Sequence, residues 1–157
     1  VARIEPPYRV RLDLFVSNGE RVAAAAMVGD RLVVSADAET QLPAAPLLWS
    51  ALGVFLPGDA AGLLGGRWFG AGVAELRYLA VGGGELVYRL ESDRVQRVEF
   101  LQGGRAREEV RLALAAGERF PREAVYRHLD EIRELRITLE SVEHVEAYPS
   151  DIWDPGS

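Results

Sequence analysis

Tyr8, Val10, Leu12 and Leu14 are apolar, while Arg9, Arg11 and Asp13 between them are charged. This is the period-two pattern of a strand with one wet face. Asn18-Gly19 follows, a dipeptide that tolerates positive φ at both positions and so suits a two-residue hairpin turn. A turn there sets Ala23, Ala25 and Met27 opposite Leu14, Leu12 and Val10; a second turn at Gly29-Asp30 sets Leu32 opposite Met27 and Val34 opposite Ala25. All of these fall on one face, leaving Arg9, Arg11 and Asp13 to solvent, and a one-residue slip would undo the arrangement. Ala23 to Ala26 would be helical by propensity alone, but turn signals bracket the segment at strand length.

The same alternation returns later in the chain. Leu76, Tyr78 and Ala80 run into Gly82-Gly83-Gly84 and back through Leu86, Tyr88 and Leu90, and a three-residue turn at Ser92 to Arg94 sets Val98 and Phe100 opposite Tyr88 and Leu86. Val110, Leu112 and Leu114 alternate around Arg111, and Leu135, Ile137 and Leu139 around Arg136, Thr138 and Glu140. Between the two runs lies Gln41 to Gly58, eighteen residues without a charge, interrupted by Pro43, Pro46 and Pro57. A membrane span needs about 20 unbroken apolar residues. The segment instead predicts a ten-residue helix, Leu47 to Leu56, and after it a short helix, Ala60 to Leu64, capped by Asp59 and stopped by Gly65-Gly66.

These elements predict a mainly β (α+β) fold: eight to ten antiparallel strands in a strongly curved sheet or unclosed half-barrel, one domain over 1–157, with residues 46–64 as a helical lid. A sheet of this many strands curls around its apolar face. A helix apolar nearly all round needs cover on more than one side, from core, lipid or a greasy ligand. Small Ala23 and Ala25 in the middle strand leave volume that the lid or a bound molecule must fill. Trp68-Phe69 reads as a buried strand start, with an exposed aromatic rim as the alternative.

Composition removes several classes of function. The chain has 157 residues, no cysteine and a net charge of −6, which excludes disulfides, a thiol nucleophile and a Cys-built metal site. All 18 basic residues are arginine and none form a basic run, so the footprint of a nucleic-acid binder is missing. His128 and His144 are read as surface residues rather than a ligand pair. Glu108-Glu109, Asp130-Glu131 and the carboxylates of Glu140 to Glu146 alternate with arginines or sit in turns, and read as a solvated face rather than an acid/base pair. Ser35, Ser50 and Ser141 lack the glycines of a nucleophile elbow. No enzyme and no cofactor is expected. The chain opens at Val1 rather than Met, as a processed chain or an internal starting point would.

The opening Pro7-Tyr8-Arg9-Val10-Arg11-Leu12-Asp13-Leu14-Phe15 strand, Asn18-Gly19, Gly29-Asp30-Arg31-Leu32, Leu63-Leu64-Gly65-Gly66, Arg119-Phe120-Pro121 and Leu135-Arg136-Ile137-Thr138-Leu139 together resemble, in order and spacing, the LolA/LolB-like superfamily of periplasmic lipoprotein carriers and acceptors. The resemblance covers most of the chain and implies a half-barrel covered by helices, with further strands before Val1. It also implies acyl chains or lipoproteins as partners, a periplasmic location and an upstream lipid anchor to a membrane. The residues that would line the apolar hollow are Leu12, Leu14, Ala23, Ala25, Met27, Leu32, Val34, Leu48, Trp49, Leu52, Phe55, Leu63, Tyr88, Val98, Phe100, Val110 and Leu112. The alternative is a structural or accessory subunit of a membrane-associated complex, using the same fold for protein–protein contact.

Overall fold

The computed structural model describes residues 1–15, 18–35, 42–58 and 62–153, with Val22 by its backbone alone. The chain is mainly β. The described residues hold eleven strands, β1 (Ala2–Glu5), β2 (Arg9–Phe15), β3 (Arg21–Val28), β4 (Arg31–Val34), β5 (Gly62–Gly70), β6 (Val73–Leu79), β7 (Glu85–Glu91), β8 (Arg94–Gln102), β9 (Arg105–Ala113), β10 (Glu123–His128) and β11 (Arg133–Thr138). One helix, α1 (Ala45–Ala51), separates β4 from β5, and a 3₁₀ turn spans Ser150–Trp153. Strands pair antiparallel in chain order, β1 to β4 in one sheet and β5 to β11 in a second that does not close into a barrel. The chain divides into two compact units, residues 1–45 with 143–157, and residues 46–142.

In the first unit the hairpin registers are those the turn dipeptides dictate: Val10 pairs with Met27, Leu12 with Ala25 and Leu14 with Ala23, then Met27 with Leu32 and Ala25 with Val34. Asn18 Oδ1 accepts the Glu20 N–H at 3.0 Å, while Val16 and Ser17 lie outside the described residues. Val10, Ala25 and Met27 are fully buried. The opposite face departs from expectation, because Arg11 and Asp13 are buried too and only Arg9 meets solvent. The C-terminal 3₁₀ turn packs against β2 and β3 there, and Arg11 donates to the Ile152 carbonyl at 2.8 Å.

In the second unit, α1 is shorter than the ten residues expected. Gly53 stands at φ 80, its N–H donates to Ser50 O at 2.8 Å, and the Val54 N–H donates to Trp49 O at 2.9 Å. That pair of bonds is a Schellman cap, which ends the helix well before Pro57. The helix expected over Ala60 to Leu64 is also corrected: Asp59 to Ala61 lie outside the described residues, and Gly62 to Leu64 open β5. The glycines that read as breakers are accommodated by pairing with β6. A Cβ at Gly66 would lie 2.9 Å from Leu76 Cδ2, so the smallest residue permits close packing there.

Further along, Val98 faces Tyr88 and Phe100 faces Leu86 as the pattern predicts. The turn itself is shorter than expected. Ser92 and Asp93, at φ 49 and 62, form a two-residue turn of the positive-φ kind, and a bulge at Arg89/Leu90 absorbs the extra residue. Leu47 and Ala51 of α1 join Leu86, Tyr88, Val95, Val98, Val110, Leu112, Ala124 and Tyr126 in one buried cluster, with Phe55 packed against it.

Candidate functional site

The residues expected to line a ligand hollow fall in both units. Leu12, Leu14, Ala23, Ala25, Met27, Leu32 and Val34 share one face of the four-stranded sheet, with Ala25 and Met27 fully buried and the rest half-buried. Tyr88, Val98, Val110 and Leu112 meet in the buried cluster of the second unit, where Phe55 and Phe100 pack on them. The Phe55 ring stands edge-on to Tyr88 and Tyr78, with centroids 4.8 and 5.9 Å away. The Tyr88 hydroxyl donates to Leu56 O at 3.4 Å, and burial, against a smaller opposing effect of Ser50, pushes its pKa upward. Leu48, Trp49 and Leu52 are buried. In this unit the apolar face is occupied by the chain's own side chains. Leu63 differs: it stands 62% exposed.

Leu63 belongs to a surface that the alternation did not reveal. It lies on β5, the terminal strand of the seven-stranded sheet, and Leu64, Trp68 and Phe69 on the same strand are also exposed. Trp68-Phe69 is therefore no buried strand start; Trp68 is 66% exposed. Leu63, Gly66 and Trp68 pair with Tyr78, Leu76 and Ala74, so their side-chain positions continue the apolar face past the buried cluster. Gly65 and Arg67 pair with Arg77 and Glu75 on the opposite face. There the Arg67 and Arg89 guanidinium carbons lie 4.9 and 5.7 Å from the Phe69 ring centre, within cation–π range. Among the described residues neither arginine has a carboxylate at ion-pair distance. A depression of about 320 Å³ runs along Leu64, Gly65, Gly66, Arg67, Glu75 and Arg77.

Four glycines concealed β5, since each reads as a stop. The available signal was Gly70-Ala71-Gly72, a hairpin turn with Ala71 at φ 49 and Gly72 at φ 77, which obliges the segment before it to pair with Val73 onward.

Polar groups gather elsewhere without converging on a cleft chemistry. Glu109 is buried rather than solvated, 3.0, 3.1 and 3.6 Å from Arg97, Arg111 and Arg127, so the sequence reading of this carboxylate is corrected. The Tyr126 hydroxyl donates to Glu108 Oε2 at 2.7 Å; burial first, then the Glu108 hydrogen bond and charge, raise its pKa and keep the phenol protonated. His128 is half-buried and its Nδ1 accepts the Glu131 N–H at 3.2 Å. Among the described residues no three His, Asp or Glu side chains are grouped to hold a metal, and no helix is long and apolar enough to cross a membrane.

Fold and surface thus define a mainly β chain with four large apolar side chains exposed on one edge strand. No protein-family model, no curated protein and no solved structure matches it.

Proposed function

We propose that the chain is a non-catalytic binding protein that acts through protein–protein contact, the second of the two readings the sequence supports. One observation carries this: large apolar side chains stand exposed along β5, an edge strand among the described residues, while the apolar face of its own sheet is occupied by Tyr88, Val98, Val110 and the residues packed on them. Large apolar side chains exposed together on one element mark an interaction surface. An edge strand of this kind is a template for another polypeptide. The unclosed antiparallel sheet with a short helix agrees with the fold implied by the LolA/LolB resemblance, and the surface on β5 gives that fold a use that needs no hollow.

The test is photocrosslinking in the native cell from p-benzoylphenylalanine placed at Trp68, beside titration of the purified protein with a fluorescent fatty acid. Polypeptide adducts from position 68, with no saturable fatty-acid uptake, are expected. Lipid adducts with stoichiometric uptake overturn the reading in favour of acyl-chain carriage.

A further inference from the structure

We infer that β5 binds its partner by strand addition, and that the partner segment is an extended peptide of about nine residues alternating apolar with acidic side chains. The inference rests on the protein-contact reading above and deepens it.

Three observations converge on this strand. The first is the edge itself. Four strands end the two sheets, and of these β1 and β4 have four residues each and β11 has six, three of them charged, Arg133, Glu134 and Arg136. Short length and charge are how sheets discourage unwanted pairing. By contrast β5 has nine residues with Arg67 as its one charge, and among the described residues it is bonded on one side alone. At about 3.4 Å per residue it offers a partner roughly 30 Å of backbone, and main-chain bonds to such an edge supply affinity whatever the side chains.

Second, the two faces ask for different side chains. On the apolar face Leu63 and Trp68 are exposed beyond the buried cluster, so a partner's apolar residues there would extend the core. On the opposite face Arg67 and Arg89 flank Phe69; Glu75, the cross-strand neighbour of both, is ion-paired with Arg77 at 3.2 Å, and among the described residues neither Arg67 nor Arg89 has a carboxylate at ion-pair distance, while Gly65 has no atom within 4 Å of where a Cβ would stand. A residue added opposite Gly65 would meet the depression lined by Arg67, Arg77 and Glu75, where two guanidiniums face one carboxylate. The chemistry that fits is a carboxylate. Third, apolar and acidic positions on opposite faces are what a strand of period two delivers, so one peptide pattern satisfies both.

A blocked peptide, acetyl-Val-Glu-Val-Glu-Val-Glu-Val-Glu-Val-amide, titrated against the full chain by tryptophan fluorescence and calorimetry at low salt, tests this. Two further versions carry N-methyl groups on the odd or on the even residues, and a fourth replaces every Glu with Lys. The parent should bind, the Lys version about tenfold or more weaker, and one N-methyl series, whose blocked edge faces β5, should lose binding while the other keeps it. Arg67→Glu with Arg89→Glu should reverse the Glu-over-Lys preference at an unchanged melting temperature. Equal binding of both N-methyl series, equal binding of Glu and Lys peptides, or no binding of any peptide overturns the inference. So does dimerisation through β5 in sedimentation, or attachment to anionic phospholipid vesicles that Trp68→Ser abolishes. Polypeptide crosslinks from position 68 together with indifferent N-methyl series would leave the protein-contact reading standing and strand addition refuted; lipid crosslinks would remove both.

Discussion

Asp13 and Glu109 are each a carboxylate set among three arginines, and they show how this lysine-free chain stabilises its charged positions. Asp13 accepts from Arg3, from Arg11 at 3.2 Å and from Arg21 at 3.4 Å. Burial pushes its pKa up, but the hydrogen bond and charge of Arg11, and then those of Arg3, outweigh it and hold the carboxyl below its ordinary 3.8. A depressed folded-state pKa gives stability that is fully present above the unfolded value and is lost as pH falls through the folded one. Denaturant titrations below pH 4 should therefore show the wild type losing stability more steeply than Asp13→Asn, and parallel pH profiles would refute the linkage. At neutral pH Asp13→Asn should cost about 3–5 kcal/mol, because Arg11 is left buried beside a neutral group. Glu109→Gln, whose arginines reach solvent, should cost less, about 1.5–3 kcal/mol. The period puts these residues on the face opposite the apolar one, but the solvent exposure expected of that face is contradicted, since both are buried. It could not show that Arg11 beside Asp13 is covered, since Arg11 bonds to a segment near residue 152 with no local pattern linking it to β2.

At the scale of elements, local signals were legible where a turn dipeptide fixed a register. Asn18-Gly19 and Gly29-Asp30 determined which residues of β2, β3 and β4 face one another, and the β7/β8 register came out right although a bulge replaced the expected third turn residue. Helix length was not legible from the proline flanks, because the helix ends at the Gly53 cap before Pro57 is reached. Gly53→Ala should lower stability by about 1–2 kcal/mol, the cost of a left-handed conformation for a residue with a Cβ; its Cβ would also meet Pro121 Cδ at 3.0 Å. An unchanged melting temperature would mean the cap does not define the end of α1. Trp49 is on the helix and buried, while Phe55 lies beyond it and packs edge-on against two tyrosines. Trp49→Ala and Phe55→Ala should both destabilise, Trp49→Ala by about 3–5 kcal/mol and Phe55→Ala by less. Neither should alter fatty-acid uptake, and a selective loss of uptake in either variant would restore the lid to a gating role.

For the whole molecule, the alternation of apolar and polar residues was enough to give the fold class, an antiparallel and unclosed β architecture with one short helix. It did not show where one sheet ends and the next begins, because a strand's own pattern says which face is apolar and nothing about which neighbour it abandons. Nor did it reveal β5, whose glycines suppress local propensity and whose place is fixed by pairing with β6. The apolar residues that alternate, where the pattern puts the candidate site, are in the second unit mostly packed on one another. Among the apolar residues that remain exposed are Leu63, Leu64, Trp68 and Phe69, on the strand the pattern missed. Amide hydrogen exchange over Gly62–Gly70, with and without the Val/Glu peptide at saturating concentration, tests the account most directly. Amides of β5 on the side away from β6 should exchange fast in the free protein and become protected when peptide is added, with little change over the buried strands β7 to β10. Protection already present in the free chain, or protection on binding confined to residues outside β5 and β6, would contradict it.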